Sequence, residues 1–135
     1  MKVSVDTNVL VRYLTWDAEE QAIEAAAILE SRDVIVISTI VLCELVWVLK
    51  RAYRYATAEI VDIVGRLIQT RNVEIDRPAV EVGLQMLTRG GDFADGVIQC
   101  EAGRAKCDRV VTFDRNFARL SATAAVELLG TAQNR

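Results

Sequence analysis

KVSVDTNVLVRYL, Lys2 to Leu14, is the stretch that decides the fold class. Lys2 to Val5 reads as a short strand, and Val9 to Leu14 reads as a helical turn entered through Asp6, Thr7 and Asn8. Strand gives way to helix at an aspartate, and the alternation recurs downstream. Val34 to Ile37 is a β-branched run suited to a strand covered on both faces, with Ser38 or Thr39 able to cap the apolar helix that follows. Thr57 opens a helix with Ile60, Val61, Val64, Leu67 and Ile68 at amphipathic spacing. Val73 to Ile75 reads as a third strand. Pro78 suits the first position of a helix that Gly90-Gly91 ends, with Ala79, Val80, Gly83, Leu84 and Leu87 on its apolar face. Asp95 to Lys106 reads as a helix, Arg109 to Phe113 as a strand, Arg115 to Leu120 as a short helix and Ala125 to Leu129 as a last strand. The expectation is an α/β domain with a mainly parallel central sheet flanked by helices. It spans residues 1–130, and 131–135 form a C-terminal tail.

Composition narrows the chemistry. The 135 residues are 52% hydrophobic and 26% charged, enough to bury a core without disulfide or metal staples. The longest charge-free run, Val34 to Cys43, falls well short of the roughly 18 apolar residues of a membrane span. The opening residues lack the apolar region of a secretory signal, so a cytoplasmic protein with no membrane partner is expected. Cys43, Cys100 and Cys107 have no metal-ligand spacing and are expected to be buried thiols in or at the ends of helices. The chain has no histidine, which removes the usual general base and zinc ligand. A net charge of -3 argues against a broadly basic surface, yet Arg104, Lys106, Arg109, Arg115 and Arg119 face only Asp108 and Asp114 between residues 104 and 119. That stretch is either a solvated face or a local RNA-binding patch in which Arg104, Arg115 and Arg119 take part.

Carboxylates carry the remaining signal. Asp6 and Asp114 each follow a strand and precede a helix, the edge of a parallel sheet where ligands bind; each is equally suited to capping its helix. Glu44 is the only charge between Val34 and Leu49, and Ile40, Val41, Trp47 and Val48 surround it at helical spacing. An ionised group in an apolar setting is costly unless paired or metal-bound, and Lys50 or Arg51 offers a structural alternative. Asp92 and Asp95 open a helix together; capping explains Asp92 better, whereas Asp95 lies on a partly apolar face where function is favoured. Asp17 and Glu20 have capping-box spacing and are assigned to a helix start near residue 18. Several acids at strand ends and helix starts can converge on a divalent cation, and an all-oxygen donor set favours Mg²⁺ or Mn²⁺.

Four segments, VSVDTNVLVRYL, STIVLCELVWVL, GGDFADGVIQCEA and VVTFDRNF, together resemble the VapC-type toxins of the PIN-domain nuclease superfamily, in order and separation, across essentially the whole chain. The resemblance implies a metal-dependent endoribonuclease using Mg²⁺ or Mn²⁺, with Asp6, Glu44, Asp95 and Asp114 as the catalytic and metal-binding acids and Asp92 as a less favoured ligand. It implies Thr7, Asn8, Thr112 and Asn116 as supporting groups. It also implies a homodimeric toxin of a type II pair, neutralised by a cognate antitoxin. At Asn116 many relatives carry a further acid, and a neutral amide is a poorer Mg²⁺ ligand, so one or two metals remain open. Gly96 stands where alanine is common, and glycine is expected to loosen the helix slightly.

Rival enzymes fit less well. A haloacid-dehalogenase-like phosphatase needs a second aspartate at the position of Asn8, and a receiver domain needs one where Val34 to Ile37 runs into Ser38 and Thr39. A non-catalytic PIN-like module binding RNA or protein is the alternative; it has no reason to keep a repelling acid cluster.

Overall fold

The structure is a computed structural model, described here for residues 1–121 and 125–130. The tail expected at 131–135 lies outside the described residues. Two compact units divide the chain, one from Met1 to Arg77 and a second opening at Pro78. Across the described residues there are seven helices and five strands, one or two helices follow each of the first four strands, and every strand pair is parallel, as expected of an α/β chain.

The first unit holds β1 (Lys2–Ser4), α1 (Thr7–Thr15), α2 (Glu19–Leu29), β2 (Val34–Val36), α3 (Thr39–Arg51), α4 (Thr57–Gln69) and β3 (Val73–Glu74). Its sheet runs β1-β2-β3, with Val3 opposite Ile35 and Ile35 opposite Val73. Ile35 and Ile37 are buried, while Val34 at the mouth of β2 is exposed, so that strand is covered only in part. Ser38 caps α3 by accepting from the Val41 N–H. Leu42, Leu45 and Leu49 recur at helical spacing and are fully buried, as are Ile60 and Val64 of α4. α1 packs on α2 and α3, and α4 on α3 and β3. Asn72 fastens the unit where β3 begins: its amide donates to the carbonyls of Leu29, Ser31 and Asp33, closing the turn between α2 and β2.

The capping box expected at Asp17 and Glu20 does not form. Ala18 occupies the N-cap of α2 with no side-chain bond, because the Asp17 carboxylate accepts instead from Tyr53, Thr15 and Arg12. The Tyr53 hydroxyl, with help from Thr15 and Arg12, holds the Asp17 carboxyl below its ordinary range.

The second unit contains α5 from Pro78 onward (the helix spans Arg77–Thr88), α6 (Phe93–Arg104), β4 (Val110–Thr112), α7 (Arg115–Leu120) and β5 (Val126–Leu128). β4 and β5 pair in parallel as a two-stranded sheet, and α7 packs on both. The chain turns out of α5 at Gly90, two residues past its end, where a φ of 94° suits a residue without Cβ. Gly83 of α5 and Gly96 of α6 meet backbone to backbone. A Cβ on Gly96 would lie 2.5 Å from the Val82 carbonyl and 2.6 Å from the Gly83 Cα, and a Cβ on Gly83 would strike the Phe93 ring. Gly96 therefore does more than loosen its helix; it allows the contact. The expectation of buried thiols is also corrected: Cys43 and Cys100 are half-buried, and Cys107, beyond the end of α6, is exposed.

Candidate metal centre

In the first unit Asp6 is the N-cap of α1. Its Oδ1 accepts from the Asn8 N–H at 2.7 Å, which is the capping role open to any aspartate there. The carboxylate is nonetheless exposed, and among the described residues it pairs with no cation. Thr7 and Asn8 follow it as the first residues of α1. Glu44 departs from expectation. Its apolar neighbours one turn away are themselves at the surface, Ile40 at 70% and Trp47 at 62% exposure, so the carboxylate is exposed rather than enclosed. Among the described residues Glu44 forms no ion pair with Lys50 or Arg51, so the structural alternative for this acid is not realised.

The second unit brings Asp92, Asp95 and Asp114 together, with one carboxylate oxygen from each within 4.8 Å of the others. Local sequence explains how. The Gly90-Gly91 turn delivers Asp92 to the N-cap of α6, and Asp95 sits in the first turn of that helix. β4 ends at Thr112, and Asp114 caps α7. The Thr112 hydroxyl accepts from the Asp114 N–H, and Asp114 Oδ1 accepts from the Asn116 and Phe117 N–H groups, which fixes that carboxylate by one oxygen. The capping account favoured for Asp92 holds in position only: Asp92 is the N-cap of α6, but its side chain makes no capping bond. The D-x-x-D spacing was a visible signal, but it is shared by caps and by ligands.

Electrostatics sharpen the picture. Among the described residues no Lys or Arg forms an ion pair with any of these three acids. Asp95 is half-buried, and its pKa is pushed up to about 6 from an ordinary 3.8, first by burial and then by the charges of Asp92 and Asp114. Three uncompensated carboxylates, all oxygen donors, suit a hard divalent cation such as Mg²⁺ or Mn²⁺, whose charge would relieve the repulsion. The residues present fit such an ion.

Around the cluster, Asn116 gives both polar atoms of its side chain to the protein: Nδ2 donates to the Gly90 carbonyl, and Oδ1 accepts from Arg119. Arg104 is the last residue of α6, Arg115 the first of α7 and Arg119 lies in its last turn; all three are exposed.

Among the described residues no helix is long and apolar enough to cross a membrane. A search of curated proteins finds no significant match. The PIN domain family profile, by contrast, matches residues 3–122, which include Asp6, Glu44 and all three clustered aspartates. The chain belongs to the PIN domain family, within the PIN-domain nuclease superfamily.

Proposed function

We propose that this protein is a divalent-metal-dependent endoribonuclease, the toxin of a type II toxin-antitoxin pair, in which Asp95 and Asp114, joined by Asp92, hold the cation. The observation that carries the reading is the set of three unpaired carboxylates within 4.8 Å, one of them pushed up to about 6. A bound Mg²⁺ or Mn²⁺ would activate water and neutralise charge on the scissile phosphate. The chain's own part is to orient and to bind. Asp114 is held by the N–H groups opening α7, leaving its second oxygen for a ligand. Asp95, with its pKa pushed up to about 6, would be favoured in its charged form by a bound cation, which displaces the proton it holds in mildly acidic solution. Asp6 and Glu44 complete the acidic set on the strength of the motifs that carry them, VSVDTNVL and STIVLCELVW, and both are exposed. Thr7, Asn8, Thr112 and Asn116 support the acids. Arg104, Arg115 and Arg119 bind the RNA backbone. The assembly is a homodimer neutralised by a cognate antitoxin, a reading that rests on the same motifs.

The test is cleavage of single-stranded RNA with Mg²⁺ or Mn²⁺ against chelator, in wild type, Asp6→Asn and Asp95→Asn. Metal-dependent cutting lost in both variants is expected. RNA binding without cutting in wild type would instead favour the non-catalytic module.

A further inference from the structure

Asn116 lies in the first turn of α7, two residues after Asp114, and its hydrogen bonds say what it does here. The Oδ1 atom accepts from Arg119 at 2.6 Å and Nδ2 donates to the Gly90 carbonyl at 3.3 Å. Both contacts fix the amide's orientation, since turning it over would set an NH₂ against a guanidinium and an oxygen against a carbonyl. The one atom suited to bind a cation is therefore already engaged. Meanwhile the Asn116 N–H donates to Asp114 Oδ1 at 2.8 Å, so this residue touches the segment of each flanking acid.

The Gly90 contact matters because the Asp92 side chain is not itself tied down, although its backbone carbonyl accepts from the Asp95 N–H. Its carboxylate makes no capping bond and, among the described residues, no ion pair. Its position follows from the N-cap of α6 and from the turn before it, whose Gly90 and Gly91 N–H groups donate to the Leu87 and Met86 carbonyls. That turn is held against α7 at two points: the Asn116–Gly90 bond, and Gly91, where a Cβ would come within 3.1 Å of Leu120 and closer still to Met86. We propose that Asn116 is a positioning residue that ties the Gly90–Asp92 turn to α7 and thereby holds the Asp92 carboxylate beside Asp95 and Asp114. This inference rests on the metal-centre reading. An aspartate at 116 would place an acceptor against the Gly90 carbonyl and break the tie, so the added charge would not compensate.

The experiment is Mn²⁺ titration of the full chain, stripped with chelator, by calorimetry. It compares wild type, Asn116→Ala, Asn116→Asp, Asp92→Asn and the double variant Asp92→Asn/Asn116→Ala, with metal-free melting curves of each. Asn116→Ala and the near-isosteric Asn116→Asp should each weaken Mn²⁺ binding roughly tenfold, the size usual for a group that orients a ligand. The double variant should bind no more weakly than Asp92→Asn alone, since the tie acts through Asp92. Tighter binding by Asn116→Asp would overturn the inference by making position 116 a ligand. Unchanged affinity in both single variants, or additive losses in the double one, would overturn it too. A wild type that takes up no Mn²⁺ would overturn the metal-centre reading itself, and the inference with it.

Discussion

Replacing Gly96 by alanine sets two opposing effects against each other. Alanine in a helix interior is favoured over glycine by about 1 kcal/mol. At this position, however, the new Cβ would lie 2.5 Å from the Val82 carbonyl oxygen, 2.6 Å from the Gly83 Cα and 2.8 Å from the Gly83 N. Those are backbone atoms of α5 and cannot rotate aside. Restoring an ordinary contact of roughly 3.5 Å requires the two helices to part by about 1 Å, which forfeits much of the dispersion along their seam. Overpacking of this kind costs about 1–3 kcal/mol. The clash should win, leaving Gly96→Ala less stable by up to about 2 kcal/mol, where propensity alone predicts a gain. Gly65 is the internal control. It lies inside α4 with nothing within 4 Å of a built Cβ, so Gly65→Ala should raise stability by up to about 1 kcal/mol. Urea unfolding of both variants in chelator measures the difference. If Gly96→Ala gained stability as Gly65→Ala does, the close helix contact would be refuted. Because Gly96 adjoins Asp95, the same parting should also weaken Mn²⁺ binding.

Other outcomes follow from the same structure. With its folded pKa raised to about 6 from 3.8, metal-free Asp95 contributes stability that is full below pH ~4 and lost as pH rises through about 6. The stability of wild type relative to Asp95→Asn in chelator should therefore fall across that window, and a flat difference would contradict it. Mn²⁺ affinity should run the other way, strengthening with pH as the proton leaves. Asn72→Ala strips three carbonyls of their donor and should cost about 1–3 kcal/mol by urea unfolding, whereas a loss under about 0.5 would show the clasp to be idle. Replacing Arg104, Arg115 and Arg119 together by alanine should weaken RNA binding and flatten its salt dependence; an unchanged salt slope would leave them as a solvated face.

Much of the fold was legible from local pattern. The strand-to-helix switches at Asp6 and Asp114 and the limits of the short helix Arg115–Leu120 follow from β-branched runs and caps, which act within a few residues. The misreadings arise where a distant partner decides. Asp17 has cap spacing, but Tyr53 competes for its carboxylate from 36 residues away. Glu44 sits among apolar residues, yet helical periodicity does not say which of them the protein leaves uncovered, and Ile40 and Trp47 are uncovered. Gly96 looked like a weak helix residue because propensity is blind to the neighbouring helix. Asp92 takes the N-cap position that its spacing predicts, but a cap and a ligand share that spacing, and its side chain makes no capping bond. The sequence does not show that Asp114, from a separate strand end, comes close to it. No sequence pattern announces the Gly90 carbonyl as the acceptor that gives Asn116 its role.

The central claim, that carboxylates and a divalent cation cut RNA in a chain without histidine, is tested most directly by the chemistry of the cut ends. A labelled single-stranded RNA is incubated with the protein in Mn²⁺ and in chelator, and the termini of the products are identified. Attack by activated water predicts 5′-phosphate and 3′-hydroxyl ends formed only with metal. Fragments ending in 2′,3′-cyclic phosphate, formed equally in chelator, would contradict the account.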